Sequence, residues 1–374
     1  MYSLNFKGVG SIKSTLFNIQ YLRALAAIFV LLFHATNLIQ QQFTYEYAYN
    51  IFRFGYMGVD LFFVLSGFII CYIHYADFGI RSKFKIFFIK RFTRIFPVYW
   101  IVFFLVVIVH FLMPSFGNGN ERNMTEIIQS MLLIPQDHHP ILDVAWTLRH
   151  EMFFYIMFGL LFVFNRNRII FSMLLVFWIG MSTYSLLFKP HQSWFLFEYL
   201  FSPLNLEFIL GCLVAFIVTQ YNIHLKMAGA SIFIGFGVFL LSCLNEFMTF
   251  IEADRVIRWG IPSALLILGA AVIDKKSNIR ANKTLHYIGN ASYSIYLTHV
   301  PAIYFFMMVF NKLNFFNLFG YFSAVTLCVA LTLASGCVFY QLIEKPVLKL
   351  GKRSFLKEQT KTREHRTHRI FKST

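Results

Sequence analysis

Long apolar segments, separated by short polar or charged connections, run along almost the whole chain. An α-helix rises about 1.5 Å per residue, so roughly 20 apolar residues cross the hydrocarbon layer of a membrane. The pattern predicts an all-α polytopic membrane protein with about ten transmembrane helices. A further apolar run at 125–135 reaches only about 16 Å as a helix, so we expect it to lie at the membrane surface or to re-enter. The predicted spans are 21–39, 56–75, 97–113, 145–164, 169–188, 202–219, 227–244, 256–273, 292–310 and 318–341.

The composition excludes two other classes of protein. Of the 374 residues, 58% are hydrophobic and only 13% are charged, whereas about 25% of the residues of a soluble domain are charged. A soluble enzyme and a disordered protein are therefore both excluded. The five cysteines all fall inside apolar segments, which favours packing over a disulfide framework.

The positive charge is distributed unevenly between the two sides of the membrane. With the spans given above, 25 of the 33 Lys and Arg residues fall on one side. The positive-inside bias then places both termini in the cytoplasm, in a multi-pass protein of the cell's inner (plasma) membrane. We therefore attribute the net charge of +16 to orientation and lipid contact, and expect no nucleic-acid partner. The predicted domains are a membrane domain at 1–346 and a disordered basic tail at 347–374 that lies on anionic lipid.

Ionisable residues inside the spans are costly, and each is a candidate for function. Arg23 and His34 are eleven residues apart on the first span, which corresponds to three helical turns. Their side chains are therefore expected on one face of the helix, about 16 Å apart along its axis. Alternatively, Arg23 extends to lipid phosphate and His34 bonds a backbone carbonyl within the bundle.

Glu151 is predicted at the depth of His34, and Asp60 somewhat nearer the outer surface. Asp60 begins the second span and Glu151 lies in the fourth, and both helices enter the membrane from the outer side. A carboxylate beside His34 would fix its tautomer and make it a general base. The alternative is an ion pair that only ties the helices together, and the spacing does not separate these two interpretations.

On the cytoplasmic side, the loop at 81–96 is rich in Lys and Arg, as such loops are without any ligand. Within it, Arg91 and Arg94 are three residues apart at a helix start, which is suited to binding a phosphate-bearing cofactor. His299 is predicted about 10 Å inside the ninth span, where it either packs or lines a cofactor channel. No Cys or His spacing typical of a metal site is present, so no metal is expected.

Taken in chain order, these residues resemble the membrane acyltransferase-3 family, whose members acylate cell-surface glycans. The resemblance covers roughly residues 17–346. The segment around Glu151 is most similar to the branch of the family that acetylates bacterial exopolysaccharide. The segments that carry the resemblance are Arg23 and His34 with ten residues between them, Gly58–Phe68, Arg91-Phe-Thr-Arg94 with the following Ile95–Tyr99, Trp146–Tyr155, Ser292–His299 and Glu344-Lys-Pro346.

The resemblance implies transfer of an acyl group, usually acetyl, from cytosolic acetyl-CoA to a hydroxyl of a cell-surface or lipid-linked polysaccharide. It implies that His34 is essential and that Arg91 and Arg94 bind the acyl donor. Arg23 is expected at the entrance that the donor uses. His34 acts either as a general base oriented by Glu151 or Asp60, or as a covalent acyl carrier.

Some relatives continue into a soluble hydrolase-like domain that completes the transfer outside the cell. This sequence has only a short tail after its last span. We therefore expect the membrane domain to complete the reaction itself or to pass the acyl group to a separate protein.

Two other functions remain open from the sequence. A transporter or flippase for a lipid-linked sugar would also have ten spans and buried charges, although no inverted repeat or matching pair of broken helices is found. A membrane scaffold in a glycan-assembly complex would not depend on His34 or on the arginines. The acceptor sugar and the oligomeric state are not predicted.

Overall fold

The computed structural model describes residues 16–113, 117, 119–136, 138–163, 168–189, 195–277 and 281–351. Within these ranges the regular structure is entirely helical, as predicted. The helices are α1 (Phe17–Phe43), α2 (Gly58–His74), α3 (Ser82–Leu112), α4 (Met124–Met131), α5 (Ala145–Val163), α6 (Arg168–Phe188), α7 (Phe195–Leu200), α8 (Asn205–Gln220), α9 (Leu225–Met248), α10 (Ile261–Lys276), α11 (Lys283–Lys312), α12 (Phe315–Phe319) and α13 (Tyr321–Phe339).

Every predicted span overlaps a helix, although 202–219 begins before α8 and 318–341 crosses the break at Gly320 between α12 and α13. The helices differ in how apolar they are. Eight helical segments of the described residues are long and apolar enough to cross a membrane. They contain α1, α2, α3, α8, α9, α10, α11 and α13. The segments with α5 and α6 are not among the eight. Arg149, His150 and Glu151 make α5 more polar, and the part of α6 whose side chains the structure describes is the apolar helix Ser172–Phe188. The chain is thus a multi-pass helical protein, while the count of ten and the orientation of the termini remain predictions.

Two further segments differ from the predicted ones. Residues 82–96, predicted as a basic loop, form the first half of α3. Residues 347–351, predicted as the start of a disordered tail, continue the last helix through a π-helical turn at Tyr340–Glu344. The reason is that a spanning helix can continue beyond the hydrocarbon layer, so hydropathy marks where the lipid ends and not where the helix ends. The run at 125–135 contains only the short helix α4.

The centre of the bundle is α1, which packs against α2, α10, α11 and α13. A side chain from another helix holds its beginning in place. Asp274 of α10 accepts hydrogen bonds from the backbone N–H groups of Asn18 and Ile19, at 3.0 and 3.2 Å, and from the Asn18 side chain at 2.9 Å. The first N–H groups of a helix have no partner within it, and a negative charge there is favourable. Asp274 therefore caps the helix that carries Arg23 and His34.

The helices α2 and α8 approach each other closely through two glycines. A Cβ atom added to Gly67 would lie 2.1 Å from the Phe208 carbonyl oxygen, and one added to Gly211 would lie 2.1 Å from the Val64 carbonyl oxygen. No side chain fits at those distances, so only glycine allows the two backbones to touch. Small residues at helix crossings are a common means of close packing within membranes.

We expect Gly211→Ala to destabilise the protein, because the new methyl group must push α8 away from Val64. Overpacking of this kind costs about 1–3 kcal/mol. Gly237→Ala is the matched control, since a Cβ there has nothing within 4 Å, and alanine is the better helix former by about 1 kcal/mol. Thermal unfolding in detergent, followed by tryptophan fluorescence, tests both. Equal melting temperatures for wild type and Gly211→Ala would contradict the packing argument.

Candidate active site

A cavity of about 940 Å³ lies among α1, α2, α3, α5, α11 and the end of the last helix. One end of it is lined by cations, and we call this the basic end. The middle is lined mainly by apolar side chains, and Phe62 and Tyr296 also belong to the lining. The cations of the basic end are Lys90, Arg91, Arg94, Lys345 and Lys349.

Arg94 is held at the cavity by a carboxylate from the last helix. Its Nη1 lies 3.7 Å from Oε1 of Glu344, whose side chain is fully buried. Ser294 of α11 donates a hydrogen bond of 2.6 Å to the other Glu344 oxygen. The Arg94 side chain keeps 32% of its surface exposed, so its position is fixed while part of the guanidinium still faces the cavity.

Arg91 lies against aromatic rings one helical turn away from Arg94. Its guanidinium carbon is 5.6 Å from the centre of the Phe87 ring and 5.7 Å from that of Tyr155. Its Nε is buried and has no hydrogen-bond partner among the described residues. Rings on which a guanidinium stacks orient it without neutralising its charge. The structure therefore brings Arg91 and Arg94 to one cavity, as the sequence predicts for a phosphate-binding pair.

Arg23 lines the same cavity from α1. Its guanidinium donates hydrogen bonds to Ser292 of α11 at 3.0 Å and to Gln20 at 3.4 Å. His34 also faces α11, where its ring contacts that of His299. Both α1 side chains thus meet the same neighbouring helix, which confirms that they share one face.

Glu151 lines the middle of the cavity and is bound by two hydroxyls. Ser66 of α2 donates a hydrogen bond of 3.1 Å to Glu151 Oε1, and Tyr155 donates a shorter one to the same oxygen. The expectation that Glu151 contacts and orients His34 is wrong, because its carboxylate is turned towards α2 and its own helix. Tyr155 links this group to Arg91, which stacks on its ring.

Asp60 is fully buried and belongs to a different cluster. Arg255, just before α10, binds both of its carboxylate oxygens, at 2.6 and 2.9 Å. The Arg255 guanidinium also stacks on Tyr56 and Trp146. The predicted contact between Asp60 and His34 is therefore wrong, and the alternative of an ion pair that ties helices together fits Asp60. Its partner comes from a connection 195 residues later in the chain, which spacing does not reveal.

We expect Arg255→Met to destabilise the protein, because it leaves the buried Asp60 carboxylate without its partner. Breaking such a pair costs about 3–5 kcal/mol. Arg53→Met is the control, since Arg53 is exposed in the segment before α2. Thermal unfolding in detergent measures the loss. A stable Asp60→Asn variant with a much lower kcat would instead point to a catalytic role for Asp60.

His34 and His299 lie beyond the end of the cavity and pack against each other. Their ring centres are 4.9 Å apart. Tyr296, one turn before His299, packs on His299 and on Phe62 with ring centres 5.7 Å away in each case. Neither histidine belongs to the described cavity lining, whereas Phe62 and Tyr296 do. These two aromatic rings therefore separate the histidine pair from the cavity.

A further carboxylate, Asp143, lies in the connection that precedes α5. Asp143 is half exposed and pairs with His139 at 3.3 Å. Sequence reasoning missed it because Asp143 lies outside the predicted spans, where an acidic residue is ordinary.

The match to known proteins extends over nearly all of these elements. Residues 16–341 match a family model described as an acyltransferase domain. The chain belongs to the acyltransferase-3 family. No solved structure matches the chain.

Two curated relatives of the acyltransferase-3 chain are from bacteria. It is 27% identical over 345 residues to the exopolysaccharide production protein ExoZ of Rhizobium meliloti (strain 1021), which covers 86% of this chain and 96% of ExoZ. It is 26% identical over 345 residues to YrhL of Bacillus subtilis (strain 168), named as a candidate peptidoglycan O-acetyltransferase. This alignment covers 83% of the present chain and 53% of YrhL. The chain thus spans about half the length of YrhL and nearly all of ExoZ.

Several residues at the site of this acyltransferase-3 chain were not predicted. Glu344 was recognised only as part of a closing family segment, and its signal was a lone carboxylate at the end of an apolar helix. Ser66, Ser292 and Tyr155 also lie in segments that carry the family resemblance, but they have no charge and no role was predicted for them. Their roles depend on which helices face each other, which periodicity within one helix does not specify.

Proposed function

We propose that the chain is a membrane O-acyltransferase that transfers acetyl from acetyl-CoA to a hydroxyl of a cell-surface or lipid-linked polysaccharide. The observation that carries this proposal is that Arg23, Arg91 and Arg94 line one cavity, whose lining includes Tyr296, the neighbour of the histidine pair. The names of ExoZ and YrhL, which refer to exopolysaccharide and peptidoglycan, support a glycan acceptor.

In this scheme the phosphates of acetyl-CoA bind at the basic end. Guanidinium groups form paired, charge-assisted hydrogen bonds with phosphate oxygens, and nearby lysines add point charges. Arg94 pairs with Glu344, and Arg91 stacks on aromatic rings. Both guanidinium groups are therefore pre-organised, which lowers the conformational entropy lost when the donor binds. The positive-inside bias supports a cytosolic location of the basic end in a protein of the inner membrane.

The thin pantetheine arm of the donor would follow the apolar middle of the cavity towards Tyr296. For the thioester to reach His34, the rings of Phe62 and Tyr296 must move aside, since they separate the cavity from the histidine pair. Glu151, Ser66 and Tyr155 would line the path of the arm instead of orienting His34.

The reaction needs one base and one nucleophile. His34 takes the proton of the acceptor hydroxyl as the oxygen attacks the thioester carbonyl carbon. An ester C–O bond forms, the C–S bond breaks, and the proton passes from His34 to the departing CoA thiolate. In the second form of the proposal, His34 first carries the acetyl group and the hydroxyl then attacks the acyl-histidine.

The test combines a purified component with a cellular one. Purified protein in detergent is incubated with acetyl-CoA labelled in the acetyl group, with and without the host polysaccharide, and free CoA and labelled glycan are measured. Mass spectrometry of surface polysaccharide then compares a deletion strain complemented with wild type or with His34→Ala. Return of an acetyl increment with wild type alone is expected. Unmodified polysaccharide with altered export in the deletion strain would indicate the transporter instead.

A further inference from the structure

The orientation of His299 is fixed by its own helix. Its Nδ1 lies 2.6 Å from the backbone carbonyl oxygen of Tyr296. A carbonyl oxygen only accepts hydrogen bonds, so Nδ1 carries the proton in this contact. In the neutral ring the other nitrogen, Nε2, is then an unprotonated acceptor.

That acceptor is buried, with no hydrogen-bond partner among the residues that the structure describes. His299 as a whole is only 1% exposed. A buried acceptor without a donor is costly, so a polar group beside it normally serves it.

Two polar rings lie next to His299, those of His34 and Tyr296. The Tyr296 hydroxyl is already engaged, since it lies 2.8 Å from the Thr147 hydroxyl and 3.3 Å from the Val144 carbonyl oxygen. His34 is not held by a hydrogen bond within the described chain, and its ring centre is 4.9 Å from that of His299. A rotation of the His34 ring is therefore the simplest way to provide Nε2 of His299 with a donor.

We propose that His299 positions His34 by accepting an N–H hydrogen bond at Nε2, in place of the carboxylate that usually orients a catalytic histidine. This inference rests on the proposed function and deepens it. His34 would donate from one ring nitrogen to His299 and keep the other nitrogen free for the acceptor hydroxyl. After His34 takes the hydroxyl proton, both of its nitrogens carry hydrogen, and His299 binds one of them while the other proton moves to the CoA thiolate. No proton is transferred from His34 to His299, so the Nδ1 contact of His299 with Tyr296 is kept throughout.

This assignment differs from both alternatives that the sequence left open for His299, which were packing and lining a cofactor channel. It also explains how His34 is oriented although Asp60 and Glu151 are bound elsewhere.

Three substitutions of His299 separate the two ends of its ring. His299→Asn places an amide near the former Nδ1 and preserves the hydrogen bond to the Tyr296 carbonyl. His299→Gln places an amide near the former Nε2. His299→Phe keeps only an aromatic ring. We expect His299→Phe and His299→Asn to lower kcat by about 10–100-fold, as loss of an orienting partner does. KM for acetyl-CoA should stay unchanged. His299→Gln should recover much of the lost kcat. Wild-type kcat in the Phe variant, rescue by Asn alone, or a raised KM with kcat kept would each overturn the proposal.

A spectroscopic measurement makes the test independent of turnover. In ¹⁵N-histidine-labelled wild-type protein in detergent, the signals lost in His299→Phe belong to His299. Protonated Nδ1 and unprotonated Nε2, together with a shifted His34 signal in the variant, are expected. Protonated Nε2 would overturn the inference. If the expected tautomer is found but the protein transfers no acetyl, the pairing of His34 with His299 is supported and the proposed function is refuted.

Discussion

His34→Ala is expected to abolish measurable acetyl transfer to the polysaccharide while the protein remains folded. Removal of a positioned general base lowers the rate by about 10²–10⁴-fold, and loss of a covalent acyl carrier would lower it at least as far. The folded state should survive, because His34 is only partly buried and makes no hydrogen bond within the described chain. The measurement is kcat for labelled acetyl transfer, with expression and melting temperature recorded for each variant.

His110→Ala is the matched control for His34→Ala. His110 also lies in a predicted span, on α3, where its Nδ1 bonds the carbonyl oxygen of Val106 one turn earlier. It does not belong to the cavity lining, so its loss should leave transfer unchanged. If His34→Ala transfers acetyl as fast as His110→Ala, His34 has no role in the mechanism. The proposed positioning of His34 by His299 would then also be wrong.

Replacement of both Arg91 and Arg94 by Ala is expected to raise KM for acetyl-CoA by about 100-fold or more. A hydrogen bond to a charged group contributes about 1.5–3 kcal/mol, and a factor of ten corresponds to about 1.4 kcal/mol, so two lost guanidiniums account for the estimate. The expected effect lies in donor binding, because these side chains line the basic end and not the histidine pair. Initial rates over a range of acetyl-CoA concentrations measure it.

Lys85→Ala controls for the loss of positive charge on α3. Lys85 is exposed on the same helix, near Arg91 in sequence, and does not line the cavity. Its replacement should leave KM for acetyl-CoA unchanged. An equal rise in KM for Lys85→Ala would mean that general surface charge attracts the donor. An unchanged KM in the double arginine variant would refute the proposed docking site.

The positions of the helices could be predicted from hydropathy because a spanning segment must satisfy its backbone internally and cover about 30 Å of hydrocarbon. The pairing of Arg23 and His34 on one face was also predictable, since it depends only on the period of a single helix. The extent of α3 was not predictable in the same way. Its first half is basic and lies in the predicted connection, where nothing in the hydropathy pattern distinguishes a helix from a loop.

The partners of the buried charges could not be predicted at all. Depth suggested Glu151 or Asp60 as the group that orients His34, yet depth fixes only one of the three coordinates of a side chain. Which helices are neighbours, and which way each is rotated, then decided that Asp60 meets Arg255 and that Glu151 meets Ser66.

The sequence by itself determined that this is a multi-pass helical membrane protein with the motifs of the acyltransferase-3 family, because hydropathy and local spacing are properties of one segment at a time. Only the tertiary structure decided that Arg23, Arg91 and Arg94 share one cavity, that Glu344 holds Arg94, and that the neighbour of His34 is His299. These contacts join residues far apart in the chain. They follow from side-chain packing between helices, as where Gly67 and Gly211 allow two backbones to touch, and no single segment contains that information.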